Sequence, residues 1–478
     1  MPSTAAALRQ QWEEPADIFT VLLIIGGEII QCALGAVSGG TLTPVTFSYG
    51  WAAYALSALL STMGECQLMP GSPIPNLLVI NVNTGYPRVN RSWTLGRLFQ
   101  TYKYWMPQEV RTRVEHPIRI NLDEETALPS EFQTPIGTGD EALLCVAPLC
   151  VAVYDWDVDM TEETKKKKKN KPGTQGHDWV WGLGLVVTVI QLGVSIIPFV
   201  LYDDWRVFLV TGGGTVLAYL YGALPQWRKE KWACRKGYPK KHVALTMGNG
   251  TQHVVIIRGH SQGLDLEDLA GGQVRDAPDP GLSRVTNLLR SDRATQVLTF
   301  VFAILWLLLL ITSTGIETHT WYLLAVGGMG TMHNLIVAGA PRRPDMLGIP
   351  IKLATSEGEK SGIVNQISSV TEAGDGQVVK GDGQVAAAAG QAAQQGSLTN
   401  VFAEVKIMFT LMELELAYKG FGKALLGEFF PGTLRDWEKE WWKSDDAKLR
   451  KDVLKAKRSA EYQNRRKSAT HHTVDQPL

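Results

Sequence analysis

Cysteine, net charge and catalytic signatures are all scarce in this chain of 478 residues. The five cysteines are too few and too scattered for a disulfide framework. Cys66, Cys145, Cys150 and Cys234 fall in segments expected in the cytosol and Cys32 in an apolar run, and the Cys145/Cys150 pair lacks zinc-site spacing. Forty-seven basic residues balance 47 acidic ones, so no bulk field draws the chain to nucleic acid. The Lys165–Lys169 run stands beside an apolar block and reads as a topology determinant, and no nucleic-acid partner is expected. There is no Walker loop, no GxSxG, no HExxH and no carboxylate cluster suited to two metals. "TGGGT" at Thr211 lies inside an apolar run, His253 and His260 read as loop histidines, and Asp155, Asp157 and Asp159 read as a solvated strand end. No catalytic, cofactor-binding or metal-binding residue is assigned.

Long apolar blocks, by contrast, are plentiful. Hydrophobic residues make up 45% of the chain, gathered into stretches of about twenty with charged segments between them, the membrane pattern rather than the globular one. Six stretches have membrane length: Ile18 to Ser38, Thr41 to Met63, Trp179 to Leu201, Arg206 to Leu224, Gln296 to Ile316 and His319 to Ala340. Short links join them into three hairpins.

Charge placement sets the expected orientation. The three hairpin turns hold one basic residue, Arg206, whereas "TKKKKKNK", "QWRKEKWACRKGYPKK", Arg290, Arg293, Arg342 and Arg343 lie in the long connections. The positive-inside rule then puts those connections and both termini in the cytosol. Trp51, Trp179, Trp181, Trp205, Trp227 and Trp321 fall at or near the expected edges, where tryptophan favours the interface. The first hairpin has an uncharged turn, which equally suits a pair dipping into the membrane. The N-terminal segment carries one arginine among acidic residues and Glu28 interrupts the first block, so span one is expected to act as its own signal-anchor. The sequons at Asn90 and Asn249 would face the cytosol and stay unmodified.

The expected fold is an all-α polytopic bundle of about six transmembrane helices, with a small cytosolic α+β elaboration and a helical C-terminal tail. In order these are a cytosolic N-terminus (1–17), hairpins at 18–63, 179–224 and 296–340, cytosolic loops at 64–178 and 225–295, a linker at 341–398 and a tail at 399–478. "NLLVINVNTGY", "HPIRINLDEE" and "ALLCVAPLCVAVYDWD" are rich in β-branched residues, and "HVALTMGNGTQHVVIIRG" reads as two strands around a Gly-Asn-Gly turn. The two large loops are expected to share one domain. In the tail, Trp437, Trp441 and Trp442 with flanking basic residues suit either contact with anionic lipid or a solvated helix.

Glu28 lies mid-span, and Gln31, Cys32, Gly35 and Ser38 recur with it at helical spacing, so this face is expected to point into the bundle. Depth counting assembles a transverse polar layer of Glu28, Gln31, Gln191, Thr215 and His333. Such a layer either ties helices together, with glycines allowing close approach, or carries a proton or cation. The leading expectation is a non-enzymatic scaffold or sensor presenting cytosolic surfaces. A secondary transporter or channel using the Glu28 layer is the alternative, and a membrane-embedded enzyme the second.

"VGGMGTMHNLIVAGAPRRPDMLGIP" from Val326, together with the Glu13–Ser61 stretch and "HVALTMGNGTQHVVIIRG", resembles a group of uncharacterised multi-pass membrane proteins of filamentous fungi. The resemblance covers roughly the first 350 residues and implies a fungal integral membrane protein, without adding an activity or site residues.

Overall fold

The computed structural model describes residues 16–40, 42–64, 67–115, 118–119, 144–158, 171–235, 241–261, 263–272, 291–316, 318–354 and 400–474. Side chains are described for these except 16–25, 118–119, 144–145 and 466–474. Lys165–Lys169, Asp159, Cys66, Arg290 and the expected linker beyond Ala354 lie outside the described residues.

The chain is mostly helical with a small sheet. Six helices form a bundle: α1 (Ala16–Val37), α2 (Gly50–Gly64), and, numbered ahead of the soluble elements between them, α6 (Trp179–Tyr202), α7 (Arg206–Gly222), α10 (Asp292–Thr314) and α11 (Thr320–Gly339). Their packing is inside out relative to a soluble protein. On α6 the buried positions are Val180, Gly184, Thr188, Gln191, Ser195 and Pro198, whereas Val189, Ile190, Phe199, Val200 and Leu201 are exposed. A small, polar inner face and an apolar outer face suit a surround as apolar as leucine itself. Two helices, α6 and α10, are long and apolar enough to cross a membrane. A third candidate is α7 taken together with the helix that follows it, Pro225–Lys231, from which it is bent by 42°. At 1.5 Å per residue, α2, with 15 residues, reaches about 22 Å, and α7, with 17, about 26 Å, against a core of about 30 Å.

The first hairpin is replaced by something else. Residues 42–48 are extended rather than helical, and Thr43, Val45, Thr46, Phe47 and Ser48 are buried inside the ring of helices. Pro44 disfavours helix at Thr43, and β-branched Val45 and Thr46 favour extended backbone. Around the segment the ring runs α1, α2, α10, α7, α6, α11 and back to α1. Helices α1 and α2 run the same way. They meet where Gly26 faces Gly50 and where Gly27 faces Ala53 and Tyr54, and both end against one short helix, α8 (Pro225–Lys231). Lys231 Nζ donates to the carbonyls of Gly35 (2.8 Å) and Ser38 (2.9 Å) at the end of α1, and the adjacent Glu230 accepts from Leu68 N (2.9 Å) and Met69 N (2.7 Å) beyond α2.

Two of the tryptophans expected at interfaces belong to the interior. Trp51 is fully buried and stacks on Trp306 with centroids 5.3 Å apart, and buried Trp227 donates to Tyr221 O at 3.2 Å. Trp181 is half-buried, while Trp179, Trp205 and Trp321 are exposed. Among the described cysteines, Cys32 and Cys150 are free thiols.

The excursions from the bundle build one seven-stranded sheet in the order β2-β1-β6-β7-β5-β8, with β9 also on β5. Strands β1 (Leu78–Asn81), β2 (Tyr86–Val89) and β5 (Leu149–Trp156) come from the first large loop, and β6 (Val243–Thr246) and β7 (His253–Ile257) from the second. A two-stranded pair, β3 (Ile118–Arg119) and β4 (Leu144–Cys145), stands apart. The β5–β7 pairing is parallel. Strands β8 (Ile351–Leu353) and β9 (Val401–Glu404) sit end to end on the same edge of β5. The expected linker and tail therefore contribute strands, which their short apolar runs did not announce.

Helices cover both faces of this sheet. Leu95, Leu98 and Tyr102 of α3 (Trp93–Gln100) and α4 (Tyr102–Trp105), Val110 of α5 (Gln108–Glu115) and Leu269 of α9 (Leu266–Gly271) pack with Val79, Leu245 and Val255 on one face. The other face packs Ile80, Val151 and Ile256 against α12 (Ile407–Ala417), α13 (Phe421–Phe429), α14 (Asp436–Lys443) and α15 (Ala447–Val474). Trp441 and Trp442 are buried in that layer and Trp437 packs on it. They are spent on the protein core, so any lipid contact by the tail falls to its exposed lysines.

Candidate functional site

The polar interior of the bundle is organised around the extended segment. A backbone without helix or sheet partners leaves every N–H and C=O to be paired by neighbours. Asn334 supplies one such partner. Its Oδ1 accepts from Thr46 N (3.3 Å) and Thr46 Oγ1 (3.1 Å), and its Nδ2 donates to Thr46 O (3.1 Å). The carboxamide thereby stands in for a neighbouring strand. Trp51 Nε1 also donates to Thr46 O (3.0 Å). Gln191 Nε2 bridges Phe47 O (2.9 Å) and Val326 O (2.8 Å), tying the segment to α6 and α11 at once. Thr43 Oγ1 donates to Gly222 O (2.9 Å) and Tyr49 OH to Leu323 O (3.3 Å).

Glycines make the room. A Cβ at Gly330 would overlap the Phe47 carbonyl, at Gly184 the Pro44 carbonyl, and at Gly214 or Gly327 the ring of Phe47 or Tyr49. Within the "TGGGT" run, Gly214 is thus the dent in α7 that receives the Phe47 ring. Phe47, Trp306 and Trp51 stack in series, with centroids 6.3 and 5.3 Å apart, and fill the centre.

Of the five residues expected to form one layer, the structure brings two to the segment. Gln191 holds Phe47 as described, and His333 Nδ1 lies 3.0 Å from Thr46 Oγ1. Thr215 is buried but donates to Thr211 O (2.7 Å) within its own helix. Half-buried Gln31 reaches Leu68 O (3.3 Å). Glu28 is exposed on the outside of the bundle, contrary to the expected inward face. The reason is helical phase: Gly26 must face Gly50, which brings Ile30, Ala33, Leu34 and Val37 inward and turns Glu28, two residues or about 200° on, outward. Glu28 and His333 therefore do not face one another. Asn334 and Thr46 were missed, although Asn334 directly follows His333 and "TPVTFSY" carries the β-branched signature of an extended run.

A second polar cluster marks the junction of bundle and sheet. Buried Lys231 donates to Gly35 O, Ala36 O and Ser38 O and to Gln175 Oε1 (2.7 Å). Three carbonyls at a helix C-terminus offer a cation the negative end of the dipole. Burial pushes the ammonium well below the ordinary lysine range, and nearby Arg342 pushes it the same way. Arg342 pairs with Asp178 (2.6 Å) and donates to Ala36 O (2.6 Å), and Arg97 donates to Ala338 O (2.8 Å) and Ala340 O (2.9 Å) at the end of α11. Glu230 shifts upward through burial, opposed by the amides of Met69 and Leu68 and by Gln226. Beside these lies a cavity of about 440 Å³ lined by Gln67, Arg91, Ser92, Thr94, Glu230, Lys231 and Asp292 among others. At the far end, Asp204 joins the two turns through Arg206 (2.8 Å) and His319 (3.1 Å), and Arg206 holds its carboxyl well below the usual carboxylate range. No group of three or more potential metal ligands occurs among the described residues.

No known protein family, curated protein or solved structure matches the chain.

Proposed function

We propose that this chain is a polytopic membrane protein acting as a non-enzymatic scaffold, in which the bundle anchors the sheet and its two helical layers at the cytosolic surface. The observation that carries this reading is the single sheet drawn from both large excursions and from the chain beyond α11. A body built from every excursion is held rigidly against the bilayer, as a presented surface requires. The centre of the bundle is filled by Phe47, Trp51 and Trp306, and the residues suggested for a proton path face different ways. Both facts weigh against transport through the Glu28 layer.

The same reading revises the three-hairpin topology. Helices α1, α6, α7, α10 and α11 cross the membrane, while the extended segment enters from the sheet side and α2 returns to it. Cations gather at the sheet side, where Lys231, Arg342 and Arg97 cap helix C-termini, as the positive-inside rule requires. Helix α1 ends on that side, so the chain before Ala16, with Arg9 against Glu13 and Glu14, emerges on the other. The termini then lie on opposite sides rather than both in the cytosol.

Reconstitution tests the function. The purified chain should resist alkaline carbonate extraction and give proteoliposomes no more permeable to protons or alkali cations than protein-free vesicles. A flux lost in Glu28→Gln would overturn the scaffold reading in favour of transport.

A further inference from the structure

Helix α1 presents its one described carboxylate to the outside. Glu28 is exposed, with Gln31 and Cys32 partly exposed three and four residues on, hence on the same face. Across the α1–α2 seam, α2 exposes Ser57 and Ser61, whose hydroxyls bond back to Ala53 O (3.0 Å) and Ser57 O (3.1 Å). Elsewhere the rim is largely apolar, with Val189 and Val200 on α6, Val216 on α7, Val297 and Leu308 on α10 and Leu335 on α11 all exposed, the exposed Thr312 and Thr314 lying in the last turn of α10. Glu28 lies nine residues, about 14 Å, from the sheet-side end of α1, close to the midplane of a core about 30 Å thick. A carboxylate facing lipid at that depth is unfavourable unless another group donates to it.

We infer that the Glu28 face of α1 docks a second copy of this chain, α1 against α1 about a two-fold axis along the membrane normal. The inference rests on the membrane reading above. The face is self-complementary: Glu28 accepts, and the Gln31 carboxamide one turn away donates, with only a 3.3 Å bond to Leu68 O holding it at home. A two-fold along the membrane normal sets Glu28 level with the Glu28 of the other copy and about 4.5 Å in depth from its Gln31, a step that the two long side chains span so that each Gln31 donates to the opposite Glu28, in the isologous manner of most homodimers. An identical chain in the same orientation brings a Gln31 donor to within one turn of each Glu28 in depth, and hydrogen bonds between polar side chains hold helices together in lipid.

The test uses the full chain in its membrane, retaining Cys32 and carrying Cys66→Ser, Cys145→Ser, Cys150→Ala and Cys234→Ser. Oxidation with copper phenanthroline should link two copies through Cys32, and native mass spectrometry of the wild-type chain from detergent should give twice the mass of one chain. Glu28→Leu, an exposed position that leaves the fold intact, should reduce the linked fraction at least tenfold and give the mass of one chain, whereas Glu28→Gln, which still accepts a hydrogen bond, should keep both signals. A wild-type monomer, or a dimer that persists in Glu28→Leu, would overturn the inference while leaving the membrane reading in place. Release of the chain by alkaline carbonate would remove that reading, and the inference with it.

Discussion

Asn334 concentrates the bundle's dependence on single side chains. Replacing it with leucine strands Thr46 N–H in an interior where an unmade hydrogen bond costs about 1–3 kcal/mol. The expected outcome is a lower unfolding temperature in detergent, read by tryptophan fluorescence, with the fold retained. Gly330 allows a sharper comparison, because a methyl there meets the Phe47 carbonyl while one at Gly328 meets nothing within 4 Å. Gly330→Ala should cost at least about 1–3 kcal/mol through overpacking, and Gly328→Ala should leave the melting curve nearly unchanged. Outside the bundle, Glu413 on α12 lies beside Glu404, both on Arg458 (3.2 and 3.1 Å), and burial first and the Glu404 charge second push it up to about 7. A carboxyl raised in the folded state favours folding at low pH, and that contribution fades as pH rises through about 7. Glu413→Gln should therefore flatten the stability profile between about pH 5 and 8, and gain relative to the parent chain at pH 8. An unchanged profile would exclude Glu413 as its source. At this scale the sequence made Gln191 and His333 legible through depth counting. It hid Thr46 and Asn334, whose partnership depends on a backbone that is not helical, and it misdirected Glu28, whose phase is set by the Gly26–Gly50 contact.

Elements were legible where local chemistry decided them. The β-branched runs became β1, β5, β6 and β7, and the Gly-Asn-Gly turn joins β6 to β7 as its spacing suggested. The apolar blocks became helices apart from Leu42–Tyr49. Hydropathy responds to composition, so a buried extended segment and a spanning helix score alike; Pro44 and the β-branched residues beside it carried the distinction. The segment is expected to be intolerant of shortening. Deleting Val45 and Thr46 removes about 7 Å of extended reach and pulls Phe47 away from Gly214 and Trp306. That deletion should abolish the folded monodisperse peak in size-exclusion chromatography, whereas removing two residues near Gly250, in the exposed β6–β7 turn, should leave the peak in place.

The whole molecule depends on pairings between distant parts of the chain, which no local window contains. Strand β9 adds to β5 across some 250 residues, and α12 to α15 cover the face that β5, β6 and β7 would otherwise expose. Nothing in the run after Asn400 distinguishes a strand and core helices from a charged solvated tail until its apolar residues find that face. Fragments 1–354 and 400–478 produced separately should therefore associate, with the smaller retained on membranes by the larger, and Val401→Asp or Leu411→Asp in the smaller fragment should abolish retention. The arrangement of the bundle is most directly tested by asking from which side the chain before Ala16 is reached. In sealed vesicles of known orientation, a tag ahead of Ala16 should react with an impermeant reagent from the same side as Asp203→Cys, in the α6–α7 turn, and from the side opposite Arg91→Cys beside the sheet. Labelling of the tag together with Arg91→Cys would mean that α1 and its successor form an ordinary hairpin, and would contradict the re-entrant segment on which this account of the bundle rests.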